Sequence, residues 1–148
     1  MYHFLPGSKA YSIATVGCNL SCGHCQNFEI SQAKPEGVSS LNFNPQDVVK
    51  NAIKSKCKSI AYTFTEPTIF YEYMLDIAKL ARKSKIKNVI VSNGFINPEP
   101  LRKLCRYIDA ANIDLKSIED NFYRKICSGR VVPVLKTLKI LKKSWCLD

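Results

Sequence analysis

Ser59-Ile-Ala-Tyr-Thr-Phe64, then Thr65-Glu-Pro-Thr68 with a helical run to about Lys85, and then Asn88-Val-Ile-Val-Ser92 read as strand, helix, strand. Two short apolar strands joined by so long a crossover run parallel, and the connection is right-handed. The same unit repeats on both sides. Upstream, Ala10 to Val16 reads as a strand closed by Gly17, and a loop rich in Gly, Asn and Ser runs on to Asn44. Asn44 is then a good N-cap, Pro45 suits the first helical position, and Val48, Val49, Ala52 and Ile53 share one face of a helix to about Lys56. Downstream, Asn97-Pro98 opens a capped helix to about Tyr107, and Ala110 to Leu115 reads as a fourth strand. Pro133 to Lys143 reads as the last helix, with Leu135, Leu138 and Ile140 or Leu141 inward.

This β-α-β-α-β-α-β-α order predicts an α/β fold on a parallel sheet. Eight strands of a closed barrel take ~250 residues. About four strands are therefore expected to form a small open sheet or part of an open (β/α) barrel, a partial TIM barrel. The chain reads as cut off, because it stops at Trp145-Cys-Leu-Asp148 where a fifth strand is due.

At 148 residues, with 46% hydrophobic and 23% charged residues, the composition is that of one globular domain and argues against disorder. No apolar run approaches the ~20 residues of a membrane span. Met1-Tyr-His-Phe-Leu-Pro-Gly7 has neither the basic nor the apolar region of a secretory leader, so a cytoplasmic protein away from membranes is expected. The charge of +10 comes mostly from lysines placed singly, as on solvated helix faces. Neither an Arg–aromatic cluster nor zinc-finger spacing supports nucleic acid, and binding that falls steeply with salt would be its mark. An acidic partner suits the charge better.

Seven cysteines, an odd number without a leader, make a poor disulfide framework. Cys57, Cys105, Cys127 and Cys146 are scattered and read as small core residues, Cys105 on a stripe with Leu101, Leu104 and Ile108. The others stand together in Cys18-Asn-Leu-Ser-Cys22-Gly-His-Cys25, directly after a strand. Three thiolates on one short loop can hold three corners of a cubane iron–sulfur cluster and leave the fourth iron without a protein ligand. Structural zinc usually wants four ligands in two separated pairs, which fits less well even with His24 between two of the cysteines. Gly17, Asn19, Ser21, Gly23 and Asn27 mark the segment as loop rather than core.

Ligands of parallel α/β folds gather at the carboxyl ends of strands. Here those ends carry Cys18, Thr65-Glu66-Pro67, Ser92-Asn93-Gly94 and Asp114-Leu115-Lys116. Period two puts Tyr62, Phe64 and Glu66 on one face, and Asn112, Asp114 and Lys116 on another that lines a wet or ligand-filled space. Singly, Asp114 and Lys116 can pair with each other, Glu66 can cap a helix, and Asn93-Gly94 can be only a turn. Together, beside the cysteines, they point to one site.

The run from Tyr11 to Gln32 around the three cysteines resembles the cluster-binding segment of radical S-adenosylmethionine (SAM) enzymes. It is most similar to proteins like pyruvate formate-lyase activating enzyme, and among them to the AmmeMemoRadiSam branch. Tyr62-Thr-Phe-Thr-Glu-Pro-Thr68, Val91-Ser-Asn-Gly-Phe95 and Ala111-Asn-Ile-Asp-Leu-Lys116 resemble the later motifs in the same order. Phe64-Thr65 replaces the two glycines that precede the carboxylate in the activating enzymes proper, as expected of this branch.

The resemblance makes residues 1–148 a radical SAM core domain shortened at both ends. It implies that Cys18, Cys22 and Cys25 ligate a [4Fe–4S] cluster whose remaining iron chelates SAM. By the same resemblance Glu66 meets the methionyl ammonium and Lys116 the carboxylate, Asp114, Ser92 and Asn93 hold the ribose or methionine portion, and His24 lies near the adenine. The implied reaction is reductive cleavage of SAM to a 5′-deoxyadenosyl radical that abstracts hydrogen. The implied partners are an electron donor such as ferredoxin or flavodoxin and, by analogy, a protein substrate. The competing expectation is an inactive, truncated module that binds iron–sulfur or zinc.

Overall fold

The structure is a computed structural model that describes residues 4–145, so the reading of Cys146 as a core residue falls outside the described residues. Four strands, β1 (Ala10–Ile13), β2 (Ser59–Tyr62), β3 (Lys87–Ser92) and β4 (Ala110–Ile113), form one parallel sheet in sequence order. The expected α/β architecture is present, as part of an open (β/α) barrel. After a short α1 (Phe28–Ser31) in the loop beyond β1, helices α2 (Pro45–Lys54), α3 (Tyr71–Lys83), α4 (Pro98–Cys105) and, past a short α5 (Asp120–Phe122), α6 (Val131–Trp145) follow the strands. Asn44 caps α2 by accepting the Asp47 N–H at 2.9 Å.

Alternation along the strands sorts the sheet's two faces. Ile60, Tyr62 and Ile90 point outward and are buried with Met74, Ile77, Ala78 and Val48 of the covering helices. Each such large apolar side chain contributes about 1.5–3 kcal/mol by leaving water. The inner face carries small residues, among them Ser12, Ala61 and Val91, and lines a groove of about 490 Å³ with no charged side chain. In the outer layer the Tyr62 hydroxyl donates to Asn88 Oδ1 at 2.9 Å, and the Asn88 amide donates to the carbonyls of Ala78 and Tyr107, each at 3.0 Å. These bonds join β2, β3, α3 and the turn after α4. Tyr62→Phe leaves the Asn88 carbonyl buried without a donor, and we expect it to cost about 1–3 kcal/mol. Urea unfolding checks this; an unchanged midpoint would contradict it.

The strands end earlier than the sequence reading placed them. β1 stops at Ile13 rather than Val16, β2 at Tyr62 rather than Phe64, and β4 at Ile113 rather than Leu115. One further ladder bond follows in two places, Thr63 N–H to Ile13 and Asp114 N–H to Ser92, and then the backbone turns away. Phe64 (φ 69°), Gly17 (φ 100°) and Gly94 (φ 74°) carry positive φ at those turns. A Cβ on Gly94 would stand 2.7 Å from Ile113 Cγ2, so glycine is needed there on two counts. The expected common face of Tyr62, Phe64 and Glu66 is therefore broken. Tyr62 is buried under the helices, whereas Phe64 is 55% exposed beyond the turn.

Three helical details also differ. Ile53, expected inward, is half exposed, and Cys105 sits at the rim of the core instead of within it. The buried stripe of α6 is Val134, Thr137 and Leu141, with Leu135 and Leu138 only half-buried. The rotation of α6 follows a bond the apolar pattern does not contain: Thr137 Oγ1 donates to the Gly94 carbonyl at 2.8 Å.

A short helix α5 (Asp120–Phe122) and a π turn, Tyr123–Cys127, lie between β4 and α6. Asp120 accepts from Arg124 Nε at 2.7 Å, from Arg130 Nε at 3.0 Å and from the Val131 N–H at 3.1 Å, which starts α6 two residues before Pro133. Chiefly the Arg124 bond, then the Val131 N–H and Arg130, hold its carboxyl below the ordinary aspartate value. A depressed carboxyl stabilises the fold above the unfolded pKa, about 3.9, and that contribution is lost as pH falls through the lower folded value. Asp120→Asn should thus be less stable than the parent at pH 7 and match it once the parent's Asp120 carboxyl is protonated in both the folded and the unfolded chain. Urea midpoints from pH 7 to pH 2 check this, and a gap independent of pH would contradict it. Among the described residues no helix is long and apolar enough to cross a membrane.

Candidate functional site

The loop after β1 is fastened on every side. Gly17 N–H reaches the Ile30 carbonyl at 2.9 Å, and the Gln32 amide reaches the Leu20 carbonyl at 3.2 Å. Asn19 donates to the Phe95 carbonyl at 2.7 Å beyond β3, and Asn27 to the Phe64 carbonyl at 2.7 Å beyond β2. On the far side Ser21 and Gly23 N–H groups bond the carbonyls of Cys127 and Ile126, at 3.0 and 2.8 Å, and so bracket Cys22 against the π turn. Such turns recur at functional sites. The cysteines are held in place by backbone and amide bonds rather than by their own sulfurs.

Two of the three sulfurs have polar neighbours. Cys18 Sγ accepts from the Leu20 N–H at 3.4 Å and faces the Asn93 amide at 3.6 Å, while Cys25 Sγ lies 3.3 Å from Ser31 Oγ. Cys22 backs onto an apolar cluster that contains Cys127. Burial pushes the Cys18 thiol up; burial and then the Cys127 thiol push that of Cys22 up to about 12. Both are thus protonated at neutral pH without a ligand, and a bound metal must displace the protons.

Across the cavity Glu66 is 1% exposed and organises the ends of two strands. Its Oε1 accepts from the Thr68 N–H at 3.0 Å and from Ser92 Oγ at 2.8 Å, and its Oε2 accepts from the Asn93 N–H at 2.8 Å. Burial pushes its carboxyl up, and these donors oppose the shift. No cation is paired with it among the described ion pairs. Asn93 uses its remaining groups on Asn19 Oδ1, at 2.8 Å, and on the Phe95 N–H, at 2.8 Å. Lys116 bonds Asp114 at 3.0 Å, the pairing that the residue types alone allowed. Burial alone would lower the Lys116 ammonium, but the Asp114 bond and charge carry it above its ordinary value. His24 packs against Phe122 with ring centroids 5.8 Å apart.

These groups share one open cavity of about 550 Å³ at the carboxyl ends of the strands. Cys18, Cys22, His24 and Cys25 form one wall; Glu66, Ser92, Asn93, Asp114 and Lys116 line the rest. Every residue expected to hold the cluster or SAM thus lines it, whereas Asn112, expected on the same face as Asp114 and Lys116, is exposed and outside it. Sequence reasoning missed Asn19, Ser31, Thr68 and Cys127. Asn19, Ser31 and Thr68 lay inside quoted runs without a role assigned to them, whereas Cys127 carries no spacing signal and meets the loop only in three dimensions. The donor set, three thiols on one loop, suits a cluster. Among the described residues no three His, Cys, Asp or Glu side chains gather as they would around a single metal. Cubane ligands bind separate irons and need no such convergence.

The radical SAM superfamily model matches residues 12–145. The chain belongs to the radical SAM superfamily. Its members use a [4Fe–4S] cluster and SAM. The chain is 43% identical over 143 residues to an uncharacterised protein of Methanocaldococcus jannaschii, covering 97% of this chain and 42% of that one. It therefore spans well under half the length of that relative. It is 25% identical over 85 residues to the 4-hydroxyphenylacetate decarboxylase activating enzyme of Clostridium scatologenes, covering 57% and 27% of the two chains. Among solved structures, SuiB of Streptococcus suis bound to S-adenosylmethionine superposes with a TM-score of 0.65 at 18% identity, over 91% of this chain and 29% of that one. The same protein bound to the precursor peptide SuiA gives 0.68 at 18% identity, over 92% and 30%.

Proposed function

We propose that residues 1–148 are the cofactor-binding core of a radical SAM enzyme that acts on a protein or peptide. The observation that carries the reading is the single cavity in which the cysteine loop faces an unpaired buried carboxylate and a lysine. Cys18, Cys22 and Cys25 hold the cluster. Glu66, already oriented by three donors, meets the methionyl ammonium in a charge-assisted contact, and Lys116 turns from Asp114 to the methionyl carboxylate. Asp114, Ser92 and Asn93 hold the ribose or methionine portion, and His24, braced by Phe122, lies against the adenine. When bound, the reduced cluster and SAM supply one-electron cleavage of the sulfonium S–C5′ bond, giving methionine and a 5′-deoxyadenosyl radical that takes hydrogen from the substrate. The protein's share is to orient that bond and to exclude water.

The uncharged groove on the sheet's inner face adjoins this cavity, sharing Thr63, Phe64 and Val91 with it, and offers the substrate its approach. The activating enzyme and the peptide-bound neighbour support a protein or peptide substrate, and the charge of +10 suits an acidic donor such as ferredoxin or flavodoxin. A reducing compartment, the cytoplasm, fits free thiols and an oxygen-sensitive site. The test is anaerobic reconstitution with iron and sulfide, followed by calorimetry with SAM. About four irons per chain and saturable SAM binding that weakens in Lys116→Ala are expected. Zinc or a lone iron in the loop, or no SAM binding, would overturn the reading.

A further inference from the structure

The three cysteine sulfurs are unequally supported. Cys18 has two N–H donors, the Leu20 backbone and the Asn93 amide. Cys22 has behind it only apolar packing and Cys127. Cys25 has one polar neighbour among the described side chains, Ser31 Oγ at 3.3 Å. Ser31 ends α1 (Phe28–Ser31) and is 3% exposed, so water cannot take the place of its hydroxyl. The other groups near that oxygen are weaker partners: the Phe28 carbonyl at 3.4 Å, and the Gln32 amide, which donates to it at 3.5 Å. A thiolate only accepts, so once Cys25 is ionised the hydroxyl proton must come from Ser31.

We propose that Ser31 is a positioning residue for the cluster, donating its hydroxyl to the Cys25 thiolate and thereby setting the cluster's reduction potential. The inference rests on the cluster assignment above. A donor to a ligating sulfur draws off negative charge, and the reduced cluster, which carries one more electron, gains more from it. The bond is charge-assisted and buried, which strengthens it. Removing it makes the cluster harder to reduce. Ser31→Ala removes the donor and leaves the backbone bonds of the loop in place, whereas Ser31→Thr keeps a hydroxyl.

The experiment is a potentiometric titration of the reconstituted protein followed by EPR, on the parent chain, Ser31→Ala and Ser31→Thr. The expected result is a lower midpoint in Ser31→Ala, by up to the shift that changes the reduced fraction tenfold, 59 mV for one electron. Ser31→Thr should stay at the parent value. If Ser31→Ala loads no cluster while Ser31→Thr loads fully at the parent potential, the hydroxyl is needed and the inference stands. An unchanged midpoint in Ser31→Ala, or an equal fall or equal loss of loading in both variants, would overturn it and reduce residue 31 to packing. A parent chain that forms no [4Fe–4S] cluster would instead remove the functional reading itself.

Discussion

Alanine at Cys18, Cys22 and Cys25 together will leave a folded chain that takes up no [4Fe–4S] cluster. The thiols are only partly buried, and the loop is held by Gly17, Asn19, Ser21, Gly23, Asn27 and Gln32 through backbone and amide bonds. Removing the sulfurs breaks none of those bonds. The far-UV spectrum and the urea midpoint of the metal-free protein should therefore change little, with a cost on the order of 1 kcal/mol from lost side-chain contacts. Iron after reconstitution should fall from about four per chain to background, since thiolate is the ligand such iron requires. Iron and sulfide analysis of the two proteins decides it. A full complement of both in the triple variant would place the cluster elsewhere.

Glu66→Gln should weaken both the fold and SAM binding. Each carboxylate oxygen accepts from a donor, so the amide that replaces one of them must set its N–H against another donor. If it takes the position of Oε2, it opposes the Asn93 N–H; in the position of Oε1 it opposes the Thr68 N–H and competes with Ser92. Leaving one buried donor unsatisfied costs about 1–3 kcal/mol. In the role proposed for Glu66 the charge that would face the methionyl ammonium is also lost, and an expected change of about 2.7 kcal/mol corresponds to roughly a hundredfold rise in Kd. Urea unfolding of the metal-free chain reads the first effect, and calorimetry of the reconstituted protein with SAM reads the second. Parent-like SAM affinity in a Glu66→Gln chain that retains its cluster would remove Glu66 from the ammonium site.

The sheet was legible because its signals are local. The strand from Ser59, the apolar run Asn88–Ser92 and the Asn44-Pro45 cap each act within a few residues, and each of these elements starts within a residue of where it was read. The site was legible for a topological reason: parallel strands deliver their carboxyl ends to one rim, so Cys18, Glu66, Asn93 and Asp114 meet whatever their spacing in the chain. What escaped depends on single tertiary bonds. The turn at Phe64 reverses the face that alternation assigns, Thr137 bonding the Gly94 carbonyl sets the rotation of α6, and Asp120 starts that helix early. Cys127 looked like any scattered core cysteine, because nothing in its neighbours along the chain shows that the π turn carries it to Cys22. Ser31, a serine in a four-residue helix, likewise gains its meaning only from the sulfur 3.3 Å away.

EPR of the dithionite-reduced, anaerobically reconstituted protein, recorded with and without SAM, tests most directly whether the cysteine loop and the opposite wall form one site. The account predicts a [4Fe–4S]⁺ signal whose g-values shift when SAM is added, because the iron that lacks a protein ligand takes up the methionyl group. A cluster signal indifferent to SAM, or no such signal at all, would contradict it.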